Sequence, residues 1–589
     1  MNMPPPRLPD EAPLDMPIQR FRGPLSYDDM VARLRPRRSP PDILSRRVLL
    51  MVLTALLSVA ALSVIKETLS FDGLSAWDVL VMAQFFLLFG WVAFGFLNAM
   101  VGFLLLMFGH HPGYIPAPLK TTPFTSRTAL LVPIHNEDVD AVFGRVDRMA
   151  RSLAAFGAAE HFDFFILSDS GADAEPAEEA AWITLARGAP VPIYYRRREK
   201  NVGRKPGNVA DWVRRFGAAY DHMLVVDADS LMSGQAMAGM VHVMEQHPSL
   251  ALLQTVPTVI GAETLFQRWM QFNNRLYGPV ASAGLVWWSG AESTFWGHNA
   301  LIRTRAFAES CGLPDLSGPP PFGGPIMSHD MVEAALLRRR GWSAHMVMID
   351  ESYEEFPPTL IDLAVRDRRW AQGNIQHLAL LGSTGFHWIN RLQLLIGATA
   401  FFTSPLWLVL ILTMIAQALV GADSAIVHGT SVDILIMTLV MLFSPKIMSG
   451  IWACARRSRR EEFGGAAAIW RSIAIEIPLS AMMAPATMLT QTLDVINIFR
   501  GKRAAWNPQS RQSEGLAMAD VLPRYRWHLV LGVVMLGLIP LIPATGLLLL
   551  PITAGLLAAP WLAQWTASPR RGSAFAARGF FAVPPERIP

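Results

Sequence analysis

Asp227 and Asp229 stand one residue apart at the end of a short apolar run, Leu224-Val225-Val226, where a buried strand should stop. Two carboxylates so placed make a compact oxygen site for a hard divalent cation. Mg²⁺ typically takes one or two protein carboxylates and completes its octahedron with water and phosphate oxygens. The pair is therefore suited to hold a metal–diphosphate. A D-x-D triplet recurs by chance in any long chain, so its weight depends on what surrounds it.

From Arg127 to about Ile389, short apolar runs alternate with helical stretches. Ala129–Pro133, Phe162–Leu167, Val191–Tyr195, Met223–Val226 and Ala251–Leu253 read as strands. Val139–Phe156, Glu178–Arg187, Asn208–Tyr220 and Gln235–Gln246 read as helices. This alternation predicts an α/β domain with a mostly parallel sheet. Such sheets bind ligands beyond the carboxyl ends of their strands. Asn136, Glu137, Asp169, Asp227 and Asp229 all fall just after predicted strands, so one crevice can collect them.

Strongly hydrophobic flanks enclose this block. Hydrophobic residues make up 52% of the 589, and they cluster. Val48–Ile65 carries no charge, and Trp77–Gly109 carries only Asp78. Further apolar runs are Leu392–Val420, Ile434–Ala455, Ile473–Ile498, Leu529–Ala544 and Leu547–Trp565. About 20 apolar residues span the hydrocarbon core, so these are membrane candidates rather than core helices. Ile473–Ile498 holds Pro478 and Pro485 and lies between basic segments, so it reads as a broken hairpin or an interfacial element. Six spans are expected, and up to eight.

The net charge of +4 hides an asymmetry. Lys and Arg crowd Arg33–Arg47, Arg456–Arg460, Arg500–Arg511 and Arg570–Arg578, whereas Lys66–Ala76 has one Lys and Gly421–Asp433 has neither. The positive-inside rule puts the basic segments in the cytoplasm, and with them both termini and the polar block. Nucleic acid is not an expected partner, because the basic clusters abut membrane spans. Cys311 and Cys454 fit no metal spacing and read as reduced structural thiols. The first apolar run starts too late and is too long for a cleaved signal peptide. The expected organisation is a mobile Pro-rich leader (1–46), a first transmembrane pair (47–109), the cytoplasmic α/β domain (110–390), transmembrane and interfacial helices (391–566) and a cytoplasmic tail (567–589).

The triplet also belongs to an ordered series. Leu131-Val132-Pro133-Ile134-His135-Asn136-Glu137 comes first, then Leu167-Ser168-Asp169-Ser170, Lys205-Pro206-Gly207-Asn208 and Asp227/Asp229. Gln254-Thr255, Phe295-Trp296-Gly297-His298-Asn299, Ser328-His329-Asp330 and Arg368-Arg369-Trp370 follow. This series resembles the processive family 2 glycosyltransferases, the group of cellulose and hyaluronan synthases. Arg366-Asp367-Arg368-Arg369-Trp370-Ala371-Gln372-Gly373-Asn374 and Trp506-Asn507-Pro508-Gln509 are most similar to the branch that makes osmoregulated periplasmic glucans. The resemblance spans roughly residues 45–565. It implies a GT-A domain inserted between transmembrane helices in a bacterial inner membrane, with UDP-glucose as donor. Mg²⁺ or Mn²⁺ would be the cofactor, and the product a β-glucan, typically β-1,2-linked, passed toward the periplasm. Asn136, Glu137 and Asp169 would hold uridine, Lys205 would approach the diphosphate, and Asp227 and Asp229 would bind the metal. Asp330 matches the general base, His298 the acceptor-facing segment, and Arg369 with Trp370 the motif beside diphosphate and acceptor. A growing glucan chain, membrane lipid, a periplasmic glucan-processing protein and an acyl carrier protein are the implied partners. Arg366 stands where the usual Gln-x-x-Arg-Trp has Gln, which argues against ordinary cellulose synthesis.

Physical chemistry is consistent with these roles. Transfer from a nucleotide diphosphate needs the leaving group's charge neutralised, and a metal with Lys205 and Arg369 does that. An acceptor hydroxyl does not ionise alone, so a carboxylate must take its proton. Asp330 opens a predicted helix, Asp330–Arg340, whose dipole favours the ionised form; a helix cap is the other reading of the same residue. Trp370 offers a flat face to a sugar ring, or fills a core. His298 lines a site or is a satisfied core histidine. The rival functions are another β-polysaccharide synthase, transfer of one sugar to a polyprenyl phosphate, and a transporter or nucleotide-sugar sensor with a degenerate domain, against which the intact Asp227, Asp229, Asp330 and Trp370 speak.

The charge pattern makes a topology prediction. Cysteines introduced at Ser424 and Ser458, in a background without Cys311 and Cys454, should label from opposite faces of the membrane. Labelling of both by an impermeant reagent from the periplasmic side contradicts the assignment.

Overall fold

The computed structural model describes residues 6–24, 39–69, 73–115, 124–420, 430–502 and 515–586. The loop 421–429, expected to face outward, and the Trp506-Asn507-Pro508-Gln509 motif lie outside the described residues.

The α/β block is built on one twisted sheet. Its strands are β1 (Thr128–Ile134), β2 (Phe162–Ser168), β3 (Ile193–Arg197), β4 (His222–Val225), β6 (Leu250–Thr255), β8 (Ala300–Arg303) and β9 (Ser343–Val347), in the order β3-β2-β1-β4-β8-β6-β9. Neighbours are parallel except at β8, which runs antiparallel between β4 and β6. β5 (Leu231–Met232), β7 (Thr258–Ile260) and β10 (Ser352–Glu355) form a second sheet, β5-β10-β7. Successive side chains of a strand point to opposite faces, and β1 shows the consequence. Leu130, Val132 and Ile134 pack under helices Val139–Phe156 and Gly234–Gln246, while Ala129 and Leu131 pack on the other side against Arg204–Phe216 and His329–Arg339.

The apolar flanks supply five helices, among the described residues, long and apolar enough to cross a membrane: Ile43–Glu67, Ala76–Met107, Asp433–Ala455, Ala466–Phe499 and Thr545–Thr566. Trp388–Ala400 and Thr403–Leu419 form a sixth candidate, bent by 50°. Ala76–Met107 and the domain helix Gly278–Ser289 meet at glycines. A Cβ on Gly102 would lie 1.9 Å from the Val280 carbonyl oxygen, and one on Gly284 2.0 Å from that of Asn98, so only glycine allows this approach.

Three expectations are corrected. Ala466–Phe499 is one continuous helix of 34 residues, not a broken hairpin. It touches the domain along its length: Glu476 receives bonds from Trp269 and Tyr277, and Gln491 donates to Asp367. That packing, together with the neighbouring apolar helices Thr403–Leu419 and Pro543–Thr566, holds the helix through both prolines, and its length and composition fit a membrane span. The run Leu529–Ala544 is not a unit either. Helix Met518–Leu538 ends before Pro540, and Pro543 opens the next helix. Finally, residues 6–24 are not a mobile leader. Met16 and Phe21 are buried in the domain core, Arg7 accepts from the Tyr195 N–H and pairs with Glu175, and Gln19 accepts from Arg339.

Helix Leu360–Gln376 presses on the start of helix His329–Arg339 at Gly373. A Cβ there would sit 2.2 Å from Ser328 Oγ and 2.7 Å from its backbone nitrogen. Gly373→Ala should therefore destabilise the fold by about 1–3 kcal/mol, the usual range for overpacking, seen as a lower melting temperature. Gly382→Ala, where nothing lies within 4 Å, should not. Equal melting of the two variants contradicts the contact.

Candidate active site

The strand ends deliver most of the expected residues to one crevice. Beyond β1, Asn136 adopts a left-handed conformation (φ 55°), its N–H donates to Ser170 Oγ, and its side-chain oxygen accepts from the Gly171 N–H. His135 Nδ1 donates to the Asp169 carbonyl at 2.8 Å. These bonds lock the β1 and β2 ends together. The Asp169 carboxylate is buried and taken by Arg198, with Nε at 2.6 Å and Nη2 at 2.8 Å. Arg198 was missed in the sequence, although three arginines closing strand β3 were the available signal.

Asp227 and Asp229 sit on the turn after β4. Ser230 Oγ accepts from the Asp227 N–H at 2.9 Å, closing that turn. Lys205, in the first turn of Arg204–Phe216, pairs with the Asp227 carboxylate and donates to the Gly297 carbonyl at 2.7 Å. The Asp227 side chain remains 41% exposed. Two half-buried carboxylates on one turn, with a cation already drawn to one of them, suit a hard divalent ion that takes its other ligands from phosphate and water. Among the described residues, no cluster of three or more His, Cys, Asp or Glu side chains is placed to hold a metal.

The loop 295–299 faces this turn. Gln254, at the end of β6, receives the Trp296 N–H and donates to the His298 carbonyl. His298 Nε2 lies 3.4 Å from Glu354 of β10. Burial raises the Glu354 carboxyl above its ordinary range; His298 opposes this, while Asp229 and Asp227 add to it. Glu354 was not anticipated, because β10 is only four residues long.

Asp330 lies in the first turn of His329–Arg339, with a carboxylate oxygen 3.4 Å from where a Gly297 Cβ would stand. Its pKa is raised, chiefly by burial, with Glu333 adding and His329, Lys205 and the Met331 N–H opposing. The helix-end argument predicted the opposite direction; desolvation outweighs the dipole. His329 Nδ1 is 3.0 Å from Glu333.

Helix Leu360–Gln376 closes the crevice. Trp370 is 51% exposed, with the Arg366 guanidinium 4.5 Å from its ring centroid and 4.6 Å from that of Phe356. The residue that departs from the Gln-x-x-Arg-Trp pattern is thus stacked beside the tryptophan. Burial and Arg366 lower the Arg369 pKa, opposed by Glu137 and Asp227, so Arg369 shares the field of both predicted donor-side carboxylates.

Residues 222–444 match the family model described as "Glycosyl transferase family group 2". The chain is 41% identical to "Glucans biosynthesis glucosyltransferase H" of Caulobacter vibrioides (strain NA1000 / CB15N), over 99% of this chain and 90% of that one. Identity to the protein of the same name from Xanthomonas campestris pv. campestris (strain B100) is 40%, over 99% of this chain and 93% of the relative. A solved structure, "Mannosyltransferase PcManGT from Pyrobaculum calidifontis in complex with GDP-Man and Mn2+", aligns at 13% identity with a TM-score of 0.41, covering 64% of this chain and 98% of that one; the likeness is too slight to bear on donor or metal. The fold is the expected α/β GT-A glycosyltransferase domain set between apolar helices. With 40–41% identity to two glucosyltransferases over 99% of its length and a family 2 match from Asp227 through Trp370, the chain belongs to the glucans biosynthesis glucosyltransferase H family.

Proposed function

We propose that the chain is a processive, inverting glucosyltransferase of the bacterial inner membrane. It draws on UDP-glucose, builds the β-1,2-linked backbone of osmoregulated periplasmic glucans and passes it across the bilayer. Its catalytic block, residues 110–390, and both termini lie in the cytoplasm. The observation that carries the reading is the shared Gly297 loop. Lys205 grips Asp227 and the Gly297 carbonyl on one side, while Asp330 lies against Gly297 on the other. A cationic donor end and a carboxylate base therefore flank one small space.

In this reading Asn136, Glu137 and Asp169 hold the uridine, with Arg198 orienting Asp169. Asp227 and Asp229 hold Mg²⁺ or Mn²⁺, which when bound neutralises charge on the departing diphosphate. Lys205 and Arg369 add fixed positive charge at the same place, worth most in a crevice that excludes water. Trp370 supports the acceptor sugar and His298 lines the acceptor side. Asp330 takes the proton from the acceptor hydroxyl as that oxygen attacks the anomeric carbon from the face opposite the diphosphate. One displacement of this kind inverts the α-anomer of the donor and needs no carboxylate nucleophile.

General-base assistance contributes typically ~10²–10⁴-fold, so Asp330→Asn should nearly silence transfer while UDP affinity changes little. The wild-type product should show the anomeric coupling constants of β-linked glucose in its proton NMR spectrum. An α-linked product, or a glucosyl–enzyme adduct on a carboxylate, contradicts the assignment. The pH dependence follows from the raised Asp330 pKa. The base must be unprotonated to act, so kcat/KM should fall with decreasing pH through a limb centred above the ordinary Asp value of about 4. A limb at or below that value contradicts Asp330 as the titrating base.

A further inference from the structure

Arg145 is a charge on the buried face of its helix. In Val139–Phe156 the side turned to the sheet carries Val142, Phe143, Val146, Met149, Ala150 and Leu153, and Arg145 is buried among them. Removing a guanidinium from water is costly unless its donors are met. Two partners meet them. Nη1 donates to the Ala228 carbonyl at 3.0 Å, and Nη2 pairs with the Glu355 carboxylate at the end of β10.

Ala228 is the residue between Asp227 and Asp229. Ser230 closes the same turn from within, accepting the Asp227 N–H on its hydroxyl and donating its own N–H to the Asp227 carbonyl at 3.0 Å. Arg145 fixes the turn from without, against β10, where Glu354, the residue before Glu355, faces His298. We propose that Arg145 is the positioning residue of this turn, clamping the Ala228 carbonyl to β10 so that the Asp227 and Asp229 carboxylates are aimed before a metal arrives. The proposal rests on reading those carboxylates as metal ligands. The planar fork of arginine suits the task, because it serves two acceptors at fixed angles, which the point charge of lysine does not.

Partners that orient metal ligands typically change metal affinity by about 10–100-fold when removed. The test uses the full chain in lipid nanodiscs, with Mn²⁺ as probe and free Mn²⁺ counted by electron paramagnetic resonance in the presence of UDP. Arg145→Met, similar in length but without donors, should weaken Mn²⁺ binding by about 10–100-fold. UDP binding without metal should stay close to wild type, even though the unpaired Glu355 lowers the melting temperature, and Arg145→Lys should fall between. Saturating Mn²⁺ should restore most of kcat, which a loosened fold would not allow. If Arg145→Met fails to fold, Glu355→Gln and Arg145→Lys carry the same expectation in milder form. Folded variants with wild-type Mn²⁺ affinity, beside an Asp229→Ala variant that has lost it, overturn the clamp alone. Wild-type affinity in Asp229→Ala overturns the metal assignment and the clamp with it.

Discussion

The ammonium of Lys205 holds the two halves of the crevice together. It sits between the Asp227 carboxylate, on the turn after β4, and the Gly297 carbonyl, on the loop before β8. Without it, the negative charge of Asp227, Asp229, Glu354 and Asp330 would be offset only by Arg366, Arg369 and His298 on the far side of the crevice. Like charges at close range raise one another's proton affinity, and Glu354 already shows the effect of both turn aspartates. In the proposed mechanism the same imbalance is useful. The two turn carboxylates favour a divalent cation, and Lys205 and Arg369 are already in place to meet the phosphates it would carry.

The chemistry is tied to the membrane through the helix that bears Trp370. Asp367 receives a bond from Gln491, Arg368 lies 3.7 Å from Asp494, and Ala371 and Ile375 pack on Val495 and Ile498. All four partner residues come from the long helix Ala466–Phe499, so the crevice wall and the apolar helices share one interface. At the other end of the domain, Arg47 of the first apolar helix pairs with Glu292, which also receives Arg338. Both carboxylate oxygens are used and all three side chains are largely buried, and breaking such a set by removing one partner typically costs about 3–5 kcal/mol. The domain is therefore anchored to the apolar helices at two separated points, which keeps the crevice at a fixed position above them.

Much of this was legible in the sequence, for identifiable reasons. β1, β2 and helix Val139–Phe156 lie within a residue of their expected bounds, because each is a run of apolar residues at the period of its element. The spacing of the motifs placed Asp227, Asp229, Lys205, Asp330 and Trp370 in one ordered series. What escaped were features that depend on contacts between distant segments. β5, β7 and β10 are two to four residues long and have no period to read. Arg198, Glu354 and Arg145 owe their places to partners far away in the chain. The two prolines of Ala466–Phe499 suggested a break, but the helix is held from the side along its length. The leader looked too polar to order, yet Met16 and Phe21 enter the domain core and Arg7 and Gln19 bond to the domain beside them.

The central claim is that this crevice transfers glucose repeatedly from UDP-glucose to a growing β-glucan. The most direct measurement incubates the purified chain, in lipid, with labelled UDP-glucose and Mg²⁺, and sizes the labelled product over time. The account predicts label in a polymer whose chains lengthen as the reaction proceeds. A product that stops at one glucose on a lipid phosphate, or donor binding with no transfer, contradicts it.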